Sequence, residues 1–276
     1  MKTISFIINV TKSNLKRFRS GLKNPYKEIN LNWFKLKYYK HLTPGKISKH
    51  MLFGRPLYFS HSLELVNGLK EIFIHNTYRQ KLKEVPFIID CGANIGLSII
   101  SMKRQYPNAE IIAYEPDDKN FHLLSENIKS FGYSNVTLHK EAVWTSNTTL
   151  QFSNAGLMSS KIETGDSNNT VAIKAIRLKD VIDREVDFLK IDIEGAEYDV
   201  LKDIADKLHL VKNMFLEYHG TFAQNGELAD IINIIHSCGF NFYIKEAATL
   251  FDYPFYRIKK ADINYDVQLN IFCFRV

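Results

Sequence analysis

At 276 residues, with 45% apolar and 24% charged residues, the chain can bury one full core; an α/β domain with an extension fits better than two equal domains. No apolar run approaches the roughly 20 residues needed to span a bilayer. Three cysteines, Cys91, Cys238 and Cys273, lack metal-ligand or redox spacing, which excludes a disulfide scaffold and suits free thiols in a reducing compartment.

The net charge of +6 is uneven: residues 12–50 hold eleven lysines and arginines against one acid, Glu28. Residues 1–10 resemble a weak signal peptide, but the apolar stretch is short and no small-residue cleavage site precedes Lys12, Lys16, Arg17 and Arg19. The chain is therefore expected to be unprocessed and cytoplasmic. Phe6, Leu15, Phe18, Trp33, Phe34, Tyr38 and Tyr39 interleave with the charges. A solvated basic face is the plain reading; peripheral association with the inner face of a membrane is the sharper one, and nucleic acid is disfavoured. Residues 1–84 are read as an extension and cap, with a strand at 56–59 and a helix at 63–78 over the ligand site.

From about Val85 to the end (domain 85–276), strand-like and helical runs alternate, the pattern of a parallel sheet. Strands are expected at 87–90, 109–115, 136–140, 188–193 and 214–218. Helices are expected at 95–106, from Pro116-Asp117-Asp118 onward, near 197–205 and at 228–238. Phe121, Leu124, Ile128 and Phe131 share one face of the second helix. Gly239 is read as a C-cap. Residues 148–152 and 171–176 read as strands flanking a polar loop, 154–170, long enough to be a lid or a plain surface hairpin. Residues 241–245 and 269–275 complete seven strands as an antiparallel pair.

Phe87-Ile-Ile-Asp-Cys-Gly-Ala-Asn-Ile-Gly96 is a buried strand that breaks into a glycine turn and a helix, the geometry that holds nucleotide-like ligands. A dinucleotide fingerprint would have glycine where Asp90 stands. A carboxylate there repels phosphate and suits a cationic ligand such as S-adenosylmethionine. Glu115 closes the second strand, about where a ribose-binding acid falls. Glu141-Ala-Val follows the third strand, and Asp192 and Glu194 follow the fourth.

Together, Asp90–Gly96, Tyr114-Glu-Pro116, Glu141-Ala-Val143 and Leu189-Lys-Ile-Asp-Ile-Glu-Gly-Ala-Glu197 resemble the FkbM-type class I methyltransferases. Glu71-Ile-Phe73 and Tyr78 fit the same family's lead-in. The resemblance covers roughly residues 50–220. It implies a doubly wound, Rossmann-like α/β fold with seven strands in the order 3-2-1-4-5-7-6, and S-adenosylmethionine as cofactor. By analogy Asp90, Gly92, Ala93, Asn94 and Gly96 hold the methionine end, Glu115 and Pro116 the ribose, and Glu141 and Ala142 the adenine. Asp192 would lie near the ammonium or methyl group. The expected acceptor is a hydroxyl of a small molecule, a glycan or a lipid-linked saccharide.

In-line methyl transfer needs alignment, which contributes roughly 7–11 kcal/mol, and a base adds about 10²–10⁴-fold. Candidates for the base are Asp192, Glu194, Glu217 and His219. Glu217 and His219 share a strand face, and a histidine titrates near neutrality, which favours His219 as base with Glu217 orienting it. No metal is expected, although Asp192, Glu194 and Glu217 offer oxygen ligands. Glu197 reads as a first-turn helix acid. Nucleic-acid methylation, a non-catalytic nucleoside-binding protein and a redox Rossmann enzyme are the alternatives.

Overall fold

The structure is a computed structural model that describes residues 24–153, 170–259 and 264–275. Phe6, Leu15, Phe18 and the basic residues up to Lys23 lie outside them, as does the polar segment after Ser153. The chain divides into two units, Met1–Thr77 and Tyr78–Val276.

In the first unit, α1 (Trp33–Tyr39) starts where the Asn32 side chain accepts the Lys35 N–H. Strands β1 (Ser48–Leu52) and β2 (Arg55–Phe59) form an antiparallel hairpin. Its two turn residues, Phe53 and Gly54, both have positive φ (49° and 80°), which matches the twist of the strands they join. Helix α2 (Ser62–Leu69) continues into one π-turn, Lys70–Ile74. The helix expected to 78 therefore stops early, before Asn76 at φ 56°. β1 was not anticipated, because its alternation of exposed Lys49 and Met51 with buried His50 and Leu52 contains a histidine on the core side.

The second unit begins with Tyr78, whose ring packs on Phe215 and Phe188, with centroids 5.1 and 6.1 Å away. In chain order it contains β3 (Phe87–Cys91), α3 (Leu97–Gln105), β4 (Glu110–Tyr114), α4 (Asp118–Phe131), β5 (Val136–His139), β6 (Ala142–Trp144) and β7 (Thr148–Ser153). Then follow β8 (Thr170–Arg177), α5 (Leu178–Val181), β9 (Val186–Ile191), α6 (Glu197–Asp203), β10 (Val211–Gly220), α7 (Asn225–Ser237), β11 (Asn241–Glu246) and β12 (Val267–Phe274).

Seven strands pair in the order β11-β12-β10-β9-β3-β4-β5. Numbered within the sheet and read from the other edge, this is the expected 3-2-1-4-5-7-6. Every pairing is parallel except those of β12, which runs antiparallel to β10 and β11. The central strands β3 and β9 are buried along their whole length, the signature of a sheet covered on both faces. The apolar core includes Ile89, Leu189, Ile191, Leu216 and Ile271.

β6, β8 and β7 form a separate three-stranded sheet. The two segments flanking the polar loop pair as antiparallel β7 and β8, as their composition suggested. Helix α7 is capped by Cys238; Gly239 is the next residue, with φ 80°. Its N–H donates to the carbonyl of His236 and that of Phe240 to Ile235, satisfying the last carbonyls of the helix.

Candidate active site at the carboxyl ends of the parallel strands

The turn after β3 is tied to the strand beside it. The N–H groups of Gly92 and Ala93 both donate to the Tyr114 carbonyl, at 3.0 and 2.9 Å. That of Asn94 donates to Glu115 Oε2 at 2.8 Å, and that of Gly96 to the Ala93 carbonyl at 2.8 Å. A pyrophosphate site depends on such N–H groups pointing at the ligand, and here they already have partners. Gly92 has a steric reason to lack a side chain: a Cβ there would stand 1.8 Å from the Asp192 carbonyl oxygen, at φ 85°. Gly96, at φ 90°, opens α3, and a Cβ would come within 2.8 Å of Leu124 on α4.

Asp90 is buried below this turn. Ser98 Oγ donates to its Oδ2, and Lys190 Nζ lies 3.4 Å from its Oδ1. Lys190, fully enclosed in β9, also reaches Asp192 Oδ2 at 3.0 Å and donates to the Gly92 carbonyl at 2.8 Å. Burial alone would lower its pKa, but the charges of Asp192 and Asp90 outweigh that and hold it well above the usual lysine value. Lys190 thus fastens the ends of β3 and β9 together.

A cavity of about 340 Å³ opens above these ends. At one side it is lined by Asn94, Glu115, Pro116 and Asp117, at the other by Asp192, Glu194, His219 and Tyr265. Glu141, Ala142 and Trp144 line it between them along the chain. The Glu115 carboxylate accepts the N–H of Asn94 on one oxygen and that of Asp117 on the other, at 2.8 and 3.0 Å. Burial raises its pKa to about 7, against the lowering effect of those two hydrogen bonds. Each oxygen keeps further acceptor capacity, which suits a pair of ribose hydroxyls.

The opposite side is acidic. His219 is buried on β10, with Nδ1 3.0 Å from Glu197 Oε1. Its Nε2 lies 3.5 Å from Glu217 Oε1, 3.8 Å from Glu194 Oε2 and 3.1 Å from the Gln268 amide. Burial would lower its pKa, but the hydrogen bonds to Glu197 and Glu217 and the charges of Glu197 and Glu194 prevail, holding it well above the ordinary histidine value. Glu194, half-exposed, is pushed up to about 8, first by desolvation and then by Asp192, Glu197 and Glu217, with His219 pulling the other way. A group titrating near 8 is suited to accept a proton near neutral pH.

The ligand atoms of Asp192, Glu194 and His219 lie within 4.8 Å of one another, close enough to hold one ion between them. Both ring nitrogens of His219 already face carboxylates, Glu197 and Glu217, which compete with that use.

Several expected site residues are placed differently. Asp90, Ala93, Gly96 and Glu217 are outside the cavity lining. Asp90 is sealed under the turn, Ala93 is buried, Gly96 packs against α4, and Glu217 accepts a hydrogen bond from Gln268 at 2.8 Å. Glu217 and His219 do meet, as the strand alternation indicated, but the imidazole is held as a cation and is a poor free base. Glu141 lines the cavity, yet its carboxylate pairs with Lys174 and lies 3.6 Å from His139 Nδ1, so these partners compete for the adenine role assigned to it.

Glu197 is a first-turn acid of α6, as expected, and it also holds the site together. Buried at the start of α6, it accepts the N–H groups of Ile193 (3.2 Å) and Gly195 (3.1 and 3.0 Å) as well as facing His219. Glu194, between those two residues, has φ 58°. Tyr265 was missed. Its hydroxyl donates to the Glu194 carbonyl at 2.9 Å, and its ring centroid is 5.0 Å from that of His219. Only the third acid of Asp-Ile-Glu-Gly-Ala-Glu signalled Glu197, and no local pattern signals Tyr265.

A family model described as the methyltransferase FkbM domain matches residues 90–242. Among curated proteins, Methyltransferase sdnD of Sordaria araneosa is 33% identical over 213 residues, covering 62% of this chain and 80% of that protein. Methyltransferase 1 of Beauveria bassiana (strain ARSEF 2860) is 28% identical over 199 residues, covering 62% and 79%. Among solved structures, methyltransferase FkbM from Methylobacillus flagellatus KT matches with a TM-score of 0.48 at 18% identity. That match covers 72% of this chain and 47% of the other, so the chain spans about half of that protein's length.

Proposed function

The chain belongs to the FkbM methyltransferase family, and from that premise we propose that it methylates a hydroxyl of a glycan or lipid-linked saccharide, with S-adenosylmethionine as donor. The observation that carries this reading is one cavity with a buried ribose-type acid, Glu115, at one side and a carboxylate of raised pKa, Glu194, at the other. The lining fits the donor: the turn after β3 offers no cradle of unpaired N–H groups at Gly92, Ala93, Asn94 or Gly96, and Asp192 supplies negative charge for an ammonium group.

Glu115 and Asn94 would hold the ribose end, Ala142 and Trp144 the base, and Asp192 the amino-acid end. When bound, the donor supplies an electrophilic methyl group on a sulfonium. Glu194 then takes the proton of the acceptor hydroxyl, while the cationic His219 at 3.8 Å offsets the charge on its carboxylate. Glu197 and Tyr265 position this turn through its backbone. Asp199, Gln224 and the ring of Tyr265 also line the cavity and are not taken by the donor. Polar rims with aromatic faces suit a saccharide, which is hydroxylated around its edge and apolar on its ring faces.

The test has two parts. Mass spectrometry of glycan and lipid fractions, with and without the gene, should find a species that gains one methyl. With that acceptor, Glu194→Gln should lower kcat by about 10²–10⁴-fold and leave donor affinity within about twofold. Unchanged kcat would remove Glu194 from the role. Donor binding without transfer to any fraction would leave a nucleoside-binding protein.

A further inference from the structure

We infer that the outward face of α1 is a docking surface for an anionic lipid bilayer. This inference is independent of the proposed reaction. Trp33, Phe34 and Tyr38 are 50%, 76% and 62% exposed, and with Lys37 they fall on one side of the helix by its 3.6-residue period. Lys37 Nζ sits 5.3 Å from the centre of the Trp33 ring, and Trp33 and Phe34 pack edge to face at 5.1 Å. The aromatic rings are thus held against one another in solvent.

The opposite side of the helix is anchored. Tyr39 is buried, and its hydroxyl donates to His50 Nδ1 at 2.7 Å. His50 Nε2 donates in turn to the Ile29 carbonyl at 2.8 Å. Burial lowers the His50 pKa, which keeps the ring neutral and able to accept from Tyr39. The helix therefore cannot roll its aromatic side inward without breaking this buried chain.

Charge identifies the occupant. Between Asn24 and His50 the acidic residue is Glu28 alone, against Lys27, Lys35, Lys37, Lys40, Lys46 and Lys49. Five of these lysines are exposed; Lys35 is the half-buried one and donates to the Asn30 carbonyl. Protein–protein interfaces are enriched in arginine and depleted in lysine, whereas this stretch holds lysine only. Tryptophan and tyrosine settle at the headgroup level of a bilayer, and lysines beside them are drawn to anionic headgroups. A helix of seven residues gives weak and reversible attachment, enough to hold an enzyme near a lipid surface.

The test is co-sedimentation of the full chain with phosphatidylcholine vesicles, with and without phosphatidylglycerol, while following tryptophan emission. The expected result is binding to the anionic vesicles and a blue shift. The Trp33→Ala/Phe34→Ala variant should bind roughly tenfold more weakly and lose the shift, with Trp144 remaining as an internal reference. Lys37→Gln/Lys40→Gln should weaken binding roughly fivefold per lysine, and only for anionic vesicles. Donor binding should be unchanged in all of them, which separates this inference from the enzymatic one. Equal binding by Trp33→Ala/Phe34→Ala and the parent would overturn the inference. So would equal affinity for neutral vesicles, displacement by RNA, or loss of binding on Phe255→Ala alone in the other exposed aromatic segment.

Discussion

Glu194 illustrates how one residue acquires a role from its neighbours. A glutamate at positive φ costs on the order of 1–3 kcal/mol, and the buried Glu197 holds the turn in that conformation by accepting N–H groups on either side. The strained turn aims the Glu194 carboxylate into the cavity near His219, in a cluster of acids that keeps it protonated more readily than usual. The sign of the pH dependence follows. A base with a pKa of about 8 in the unliganded protein is mainly protonated at neutrality, so kcat/KM should rise with pH until above 8 and fall about tenfold per unit below it. A pH–rate profile checks this, and a flat profile through that range would contradict it. Gly92 is the residue-scale counterpart for folding. Gly92→Ala places a Cβ against the Asp192 carbonyl in a left-handed conformation, and should destabilise the protein by on the order of 3–5 kcal/mol. Chemical denaturation measures that loss; a variant as stable as the parent would mean the β3 and β9 ends can separate freely.

The unit β3–α3–β4 lines one side of the cavity. Its strands are short apolar runs, its helix follows a glycine turn, and the acid closing β4 meets the turn after β3 because the two strands are parallel neighbours. That much was legible. The second layer of pairing was not: β6 is three residues long and depends on β8, which is distant in sequence. Glu115 links element to measurement. Its raised pKa of about 7 means that the unliganded protein carries a contribution to stability below the ordinary glutamate value, which is lost as pH rises through 7. Donor affinity should move the other way, strengthening as pH rises through 7, because ribose hydroxyls need an ionised acceptor. Isothermal titration calorimetry at several pH values checks this, and Glu115→Gln should abolish the trend.

For the whole molecule, the charge and the cavity belong to different units. Lysines crowd the unit Met1–Thr77, whereas every residue lining the cavity lies in Tyr78–Val276. A ligand that binds the folded second unit and not the unfolded chain stabilises the protein. At a donor concentration about 100 times its Kd, the stabilisation should be about 2.7 kcal/mol. Differential scanning calorimetry should show it as a raised transition temperature, and no shift would count against donor binding. No helix among the described residues is long and apolar enough to cross a membrane.

The sequence by itself determined the sheet, because alternating buried strands and amphipathic helices leave few ways to cover both faces. It also placed Gly92 and Glu115 at the strand ends that line the cavity, while Asp90, at the same end of β3, proved to be buried beneath the turn. Only the tertiary structure decided which acids surround His219. Glu194, Glu197, Glu217 and His219 come from two chain segments joined by the pairing of β9 and β10, and Tyr265 comes from a third. Their pKa values depend on distances and burial, which no single segment encodes. The turn that opened as Asp-Cys-Gly-Ala-Asn-Ile-Gly proved to be a clasp between strands, with its glycine required by the carbonyl of a residue a hundred positions away.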